Sequence, residues 1–143
     1  MTAPRASAGH RLRPHTADCI VEAWGPDRVR CLTEALEGLV ESFAQIEDAP
    51  VTKSLPLAAV PAGARDEVVI LFEDVIYALD VFGVVPVRFH LSEAEDGGVA
   101  GEMDVVRAEA VSLVGPVPKG VSYHGLSMDE GEGGWRCRVL VDV

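Results

Sequence analysis

The stretch Trp135-Arg-Cys-Arg-Val-Leu-Val-Asp-Val143 decides the fold of this chain of 143 residues. Its side chains fall into two alternating sets, and such alternation predicts a β-strand with one buried face. Val121–Met128 is predicted to be the preceding strand, and the polar segment Asp129–Gly134 is the turn between the two. The sequence therefore predicts an antiparallel hairpin. The mostly apolar set consists of Trp135, Cys137, Val139, Val141 and Val143.

Acidic groups gather at the ends of two predicted strands. Asp142 and the terminal carboxylate of Val143 are neighbours at the end of the hairpin, and Asp18 stands at the entrance of the first predicted strand, Cys19–Trp24. Two anions at the rim of a packed sheet repel each other and lose hydration unless a cation compensates them. A hard metal ion with oxygen ligands is the natural cation for such a place. The alternatives are a solvated chain end and an Asp18 side chain that bonds nearby backbone N–H groups.

Two amphipathic helices are predicted between the early strands. Asp27 is the N-cap candidate of the first helix, whose apolar stripe repeats at helical spacing from Val29 to Ile46. The second helix is predicted from about Arg65 to a stop at Gly83. The acidic side chains that lie off the stripe of the first helix are Glu34, Glu37 and Glu41. They are expected to form a solvated face or to dock a basic partner.

The remaining segments read as strands and turns. Val51–Val60 is extended but contains Pro56, which favours an edge strand. Val85–Leu91 and Val99–Val106 form a second predicted hairpin. Helices separated by early strands and followed by consecutive hairpins predict an α+β domain. The expected architecture is two helices packed on one face of a mixed, mainly antiparallel β-sheet.

Composition and charge restrict the class of protein. With 12 basic and 23 acidic residues, the net charge of −11 disfavours strong direct binding to nucleic acid and favours cations or a basic protein surface. The three cysteines lack C-x-x-C spacing, so neither a disulfide framework nor a thiolate zinc site is indicated. No apolar run approaches the roughly 20 residues of a membrane span, and no secretory signal is recognised. We expect a cytoplasmic protein with a disordered N-terminal extension over residues 1–13 and a single domain over residues 14–143.

Sites for nucleotides and for nucleophilic catalysis have no sequence support. The phosphate-binding loop, the dinucleotide-binding glycine pattern and the G-x-S-x-G nucleophile turn are all absent from the chain. Lys53 and Lys119 are its only lysines. Lys119 precedes a predicted strand, where a lysine can serve as a salt-bridge partner or as a contact for a phosphate or carboxylate group.

Four segments, taken together and in this order, resemble the archease family. They are His15-Thr-Ala-Asp18, Tyr77-Ala-Leu-Asp80, Lys119-Gly-Val-Ser-Tyr-His-Gly125 and Gly134-Trp-Arg-Cys-Arg-Val-Leu-Val-Asp-Val143. Each segment alone is a weak signal, whereas the combination is specific and spans roughly residues 12–143.

The resemblance implies a small α+β protein that is not itself an enzyme. It implies a protein cofactor that promotes guanylylation and multiple turnover of an RtcB-type RNA ligase in tRNA splicing and RNA repair. It also implies a divalent metal, calcium, held by Asp18, Asp142 and Val143, with Lys119 as a functional residue. Two alternatives remain. One is a chaperone or specificity factor for a tRNA cytosine methyltransferase, and the other is a metal-dependent hydrolase using Asp18 and Asp142, for which no general base is recognised.

Overall fold

The computed structural model describes residues 7–14 and 18–143, and within them lie nine strands and two α-helices. In chain order these are β1 (Gly9–Pro14), β2 (Asp18–Gly25), α1 (Arg28–Glu41), β3 (Ala44–Gln45), β4 (Lys53–Ala59), α2 (Ala64–Tyr77), β5 (Val84–Glu93), β6 (Val99–Arg107), β7 (Ser112–Leu113), β8 (Gly120–Gly131) and β9 (Gly134–Asp142). The predicted C-terminal hairpin is confirmed as β8 and β9, with Glu132 and Gly133 between the two strands.

Strand β9 lies inside a four-stranded antiparallel sheet of order β1-β2-β9-β8. Its position between two partners explains its sequence, because Cys137, Val139 and Val141 face the core and are buried while Arg136 and Arg138 are exposed. The alternation predicted from the sequence therefore corresponds to one covered face and one open face of this sheet.

A second sheet of three antiparallel strands has the order β4-β6-β5, and β3 pairs with β7 in a short ribbon. Pro56 lies in β4, which is an edge strand as predicted. The apolar stripe of the first helix was expected to continue to Ile46, and this prediction is wrong. Helix α1 ends at Glu41, because Ala44 and Gln45 pair with β7 and a paired strand backbone cannot remain helical.

The two helices lie against both larger sheets. Helix α1 contacts β2 and β9 of the four-stranded sheet and β5 of the three-stranded sheet, and α2 contacts β8 and β4. The Asp27 side chain accepts a hydrogen bond of 2.8 Å from the backbone N–H of Arg30, which confirms the predicted N-cap. Helix α2 continues as one π-helical turn over Ala78–Phe82 and stops at Gly83 in the left-handed conformation, as predicted.

These elements confirm the predicted α+β class, with two helices and a mainly antiparallel sheet structure. A single hydrophobic core joins the helices to both larger sheets, and its largest fully buried side chains include Leu32, Leu36, Phe43, Phe72 and Met103. No helix in the described part of the chain is long and apolar enough to cross a membrane.

The N-terminal segment differs from its prediction. Residues 1–13 were expected to be disordered, but Gly9–Pro14 pairs along the whole of its length with β2. Pairing covers the otherwise open edge of β2, and the Arg11 guanidinium adds a hydrogen bond of 2.7 Å to Glu22. Residues 1–6 and 15–17 lie outside the described residues.

The acidic face of α1 also differs from its prediction as a solvated or partner-docking face. Glu34 is buried and Glu37 is half-buried, because β1 packs across this side of the helix. Glu34 accepts a hydrogen bond of 2.6 Å from Arg30 and lies 2.9 Å from the imidazole of His10. Burial raises the pKa of Glu37, and the neighbouring Glu34 carboxylate raises it further.

Candidate functional site

The antiparallel pairing of β2 with β9 brings Asp18 and Asp142 together. Asp18 is the first residue of β2, Asp142 is the last residue of β9, and the two are direct partners in the register. Directly opposed residues of antiparallel strands have Cβ atoms about 4.5–5.5 Å apart and share one face of the sheet. Two carboxylates distant in sequence are therefore neighbours at one end of the four-stranded sheet.

Strand β8 flanks Asp142 on its other side. Gly120 is the register partner of Asp142, and a Cβ atom built at Gly120 would lie 3.9 Å from the Asp142 Oδ2 atom. The backbone N–H of Lys119 donates a hydrogen bond of 2.7 Å to the backbone carbonyl of Asp142. The lysine predicted from the sequence is thus fixed through its backbone beside the carboxylate pair, and its side chain is exposed.

Val143 follows Asp142 directly and is tied down by packing. Its side chain is half-buried against the hydrophobic core. The main-chain oxygen of Val143 consequently lies at the same end of the sheet as Asp18 and Asp142. The candidate metal-ligand atoms of Asp18, Asp142 and Val143 are all oxygens. Calcium and magnesium bind oxygen ligands, including carboxylates. The chemistry of this donor set fits a hard divalent cation.

The segment that begins with Lys119 is anchored at its far end to α2. Between Ser122 and Ser127 the register of β8 with β9 shifts, so the strand bulges at this point. The Tyr123 hydroxyl donates a hydrogen bond of 2.9 Å to Asp66 in the first turn of α2. One segment therefore connects the carboxylate pair to the helix that packs beside it.

A groove of about 760 Å³ lies beside Lys119. The end of α2 and the π-helical turn form one wall, and the segment leading into β8 forms the other. Its lining is acidic and apolar, and burial raises the pKa of the Asp74 carboxyl within it. The residues that line it are Glu73, Asp74, Ile76, Tyr77, Leu79, Asp80, Val117, Pro118 and Lys119. Sequence reasoning missed this groove, although Tyr77–Asp80 and Lys119, which it had singled out, both border it.

The two lysines have different surroundings. The Lys53 ammonium group lies 5.7 Å from the centre of the Phe82 ring, a cation–π contact on the outside of the molecule. Lys119 instead lies between the groove and the carboxylate pair. Of the first sequence segment, only Asp18 falls within the described residues, and His15 lies outside them.

Comparison with known proteins gives a consistent result along the chain. A family model described as the Archease protein family (MTH1598/TM1083) matches residues 10–143. Two Mycobacterium tuberculosis proteins, from strains CDC 1551 / Oshkosh and ATCC 25618 / H37Rv, are each named probable protein archease. Each is 41% identical to this chain over 141 residues, which cover 98% of this chain and 78% of the relative.

Two solved structures are similar in fold. The solution structure of Methanobacterium thermoautotrophicum protein 1598 has a TM-score of 0.74 at 16% identity. The crystal structure of a Thermotoga maritima archease, described as a possible chaperone, has a TM-score of 0.61 at 22% identity. Both matches cover 94% of this chain and 99% of the compared chain.

Proposed function

Because this chain belongs to the archease family, we propose that it is a protein cofactor of an RtcB-type RNA ligase in tRNA splicing and RNA repair. In this role it promotes guanylylation of the ligase and allows multiple turnover, and it is not itself the enzyme. The observation that carries the proposal is the pairing of Asp18 with Asp142 beside Lys119. These residues form one oxygen-rich, charged end of the four-stranded sheet.

The metal part of the proposal rests on the donor set. Asp18, Asp142 and the main-chain oxygen of Val143 would hold a divalent cation, calcium, at the end of the sheet. When bound, such an ion supplies positive charge that stabilises phosphate oxygens of a nucleotide. The chain's own contribution is to hold the two carboxylates in fixed register, because β2 and β9 pair along their whole length.

Lys119 supplies a second positive charge at the same place. An ammonium group is a compact charge with three donors, suited to a phosphate or carboxylate group of the ligase active site. Its backbone hydrogen bond to Asp142 fixes the spacing between lysine and carboxylates within the fold. The chain as a whole is acidic, with a net charge of −11, which favours docking on the basic surface of an RNA-binding enzyme. We place this activity in the cytoplasm.

A guanylylation assay with the ligase of the same host tests the proposal. Wild-type protein is expected to increase both the rate of ligase guanylylation and the number of ligation turnovers. Asp142→Asn and Lys119→Ala should abolish the increase and keep the native circular dichroism spectrum. Asp129→Asn and Lys53→Ala are matched controls, since they remove one carboxylate and one lysine outside the site, and they should stimulate fully.

The alternative functions give different results in the same preparation. Full stimulation by both site variants would rule out the proposed site. Co-purification with a tRNA cytosine methyltransferase in place of the ligase would favour the chaperone or specificity-factor role. Hydrolysis of phosphoesters by the purified protein alone, lost in Asp142→Asn, would identify a metal-dependent hydrolase.

A further inference from the structure

A second group of potential metal ligands lies where β1 crosses α1. It is separate from the site formed by Lys119 and Asp142 at the end of the four-stranded sheet. Glu34, Glu37 and Glu41 are spaced three and four residues apart, so they lie on one face of α1. Strand β1 packs against α1 and brings His10 to this face. One imidazole and three carboxylates therefore meet between the N-terminal strand and the first helix.

The distances within this group suit a shared ion. His10, Glu34 and Glu37 each offer one ligand atom, and these atoms lie within 4.8 Å of one another. The Nδ1 atom of His10 is 2.9 Å from the Glu34 Oε1 atom. Its other nitrogen, Nε2, pairs with the Glu41 carboxylate. A ligating histidine commonly has its second ring nitrogen bonded to a carboxylate, which fixes the ring orientation and tautomer. Glu41 occupies that position here.

The charges at this place also favour a divalent ion. Glu34, Glu37 and Glu41 carry three negative charges when ionised, and the Arg30 guanidinium bonded to Glu34 carries one positive charge. With a neutral imidazole the group keeps two negative charges, which one divalent ion balances. Glu34 is only 6% exposed, so water screens the charge of this carboxylate poorly, whereas the Glu41 side chain is exposed.

We propose that His10, Glu34 and Glu37 bind a divalent transition-metal ion of the zinc class, with Glu41 orienting the imidazole. A mixed nitrogen and oxygen donor set suits such an ion better than calcium, which takes oxygen ligands. The site opens on a surface concavity of about 830 Å³ that His10, Glu37 and Glu41 help to line, which gives the ion a path of entry. The bound ion joins β1 to α1 and so fastens the N-terminal strand to the domain.

The test uses the chain of residues 1–143 carrying Asp142→Asn, so that the site proposed at the end of the sheet does not contribute. Metal is first removed with a chelator, and binding is followed by the visible absorption of added Co²⁺ and by the shift in melting temperature on adding Zn²⁺. We expect one ion per chain and a higher melting temperature with Zn²⁺. Glu41→Gln should weaken Zn²⁺ affinity about ten- to hundredfold, the usual effect of removing a carboxylate that orients a ligand.

Variants that lack a direct ligand distinguish a metal site from a network of ion pairs that binds no metal. Glu37→Gln and His10→Gln should each abolish the Co²⁺ spectrum and the Zn²⁺-induced shift. His90→Gln is the matched control, because His90 pairs with Asp104 at 3.0 Å outside this group and its loss should change neither signal. A Zn²⁺ response that is absent from the parent protein, or that survives in Glu37→Gln, would overturn the proposal. Because the parent already carries Asp142→Asn, this outcome is independent of the proposed ligase function.

Discussion

Replacement of Arg28 by alanine is expected to destabilise the fold in a strongly pH-dependent way. The Arg28 guanidinium makes two hydrogen bonds to the Glu67 carboxylate, one of them 2.7 Å long, and a third of 2.9 Å to the backbone carbonyl of Gly97. It thereby joins α1 to α2 and to the β5–β6 turn. Glu67 is 3% exposed, and burial raises the pKa of its carboxyl even though Arg28 acts in the opposite direction.

The size of the effect is limited by protonation of Glu67. Without Arg28, the buried carboxylate avoids an uncompensated charge by taking up a proton when the chain folds. The ordinary pKa of this carboxyl is 4.5, so pH 7 lies about 2.5 units above it. Protonating the carboxyl at that pH costs about 1.36 kcal/mol of free energy for each unit. The electrostatic loss therefore reaches at most about 3.4 kcal/mol, which lies within the range of about 3–5 kcal/mol known for breaking buried ion pairs.

The sign of the pH dependence follows from the same linkage. In Arg28→Ala the folded-state pKa of Glu67 lies above its folded-state value in the wild-type protein, where Arg28 opposes the effect of burial. The loss relative to wild type is therefore absent below the wild-type folded-state pKa and grows as pH rises through the interval between the two folded-state values. Near pH 5 at most about 0.7 kcal/mol of electrostatic loss should remain. At about pH 7 the melting temperature should fall by up to about 10 °C.

Urea unfolding at about pH 5 and about pH 7 measures this effect. The proteins compared are the wild type, Arg28→Ala, Arg28→Ala with Glu67→Gln, and Arg11→Ala. Arg28→Ala with Glu67→Gln should be more stable than Arg28→Ala alone at about pH 7, since it carries no buried charge. Arg11→Ala is the control for loss of an exposed arginine from an ion pair and should cost less than about 1 kcal/mol. Equal destabilisation of Arg28→Ala at both pH values, or a double variant as unstable as the single one, would refute the reasoning.

Two further predictions concern close packing and burial. Gly101→Ala should lower the free energy of urea unfolding by about 1–3 kcal/mol, because a Cβ atom there would lie 1.8 Å from the His90 backbone carbonyl oxygen. Gly131→Ala is the control, since a Cβ atom at Gly131 meets open space and should cost little. Equal losses of stability in the two variants would contradict this prediction. Burial raises the pKa of the Cys31 thiol to about 12, and burial also raises the pKa of the Cys137 thiol. At about pH 8 iodoacetamide should therefore modify both cysteines only after unfolding. Rapid modification of Cys137 in the native protein would show that β9 is not packed as described.

Much of the fold was predictable from local signals in the sequence. The alternation along Trp135–Val143, the capping side chain of Asp27, Pro56 in an edge strand and the stop at Gly83 each depend on neighbouring residues alone. Features that depend on distant residues were not predictable. Strand β1 reads as a polar extension until its pairing with β2 is known.

The same limit applies to the ion pairs and the acidic helix face. Glu34 and Glu67 look like ordinary surface residues of helices. Their distant partners His10 and Arg28, 24 and 39 residues away, become visible only in the fold. Periodicity places a residue off the apolar stripe of its own helix, but it does not reveal a strand or a second helix that covers that position.

The residues of the candidate site could be predicted from the sequence, but their arrangement in space could not. Asp18 and Asp142 could be recognised as carboxylates at strand ends, but their proximity follows from the register of β2 against β9, which is a long-range pairing. The groove beside Lys119 requires the packing of α2 against β8. Resemblance to a family pointed to these residues, and the register supplies the physical reason why they lie together.

Calorimetric titration of the chelator-treated protein with Ca²⁺ tests the central claim most directly. Wild-type protein and Asp129→Asn should each bind one Ca²⁺ ion at the end of the four-stranded sheet, and Asp18→Asn and Asp142→Asn should each lose that binding while remaining folded. Ca²⁺ binding that is unchanged in both Asp18→Asn and Asp142→Asn would contradict the claim that this pair of carboxylates forms a metal site.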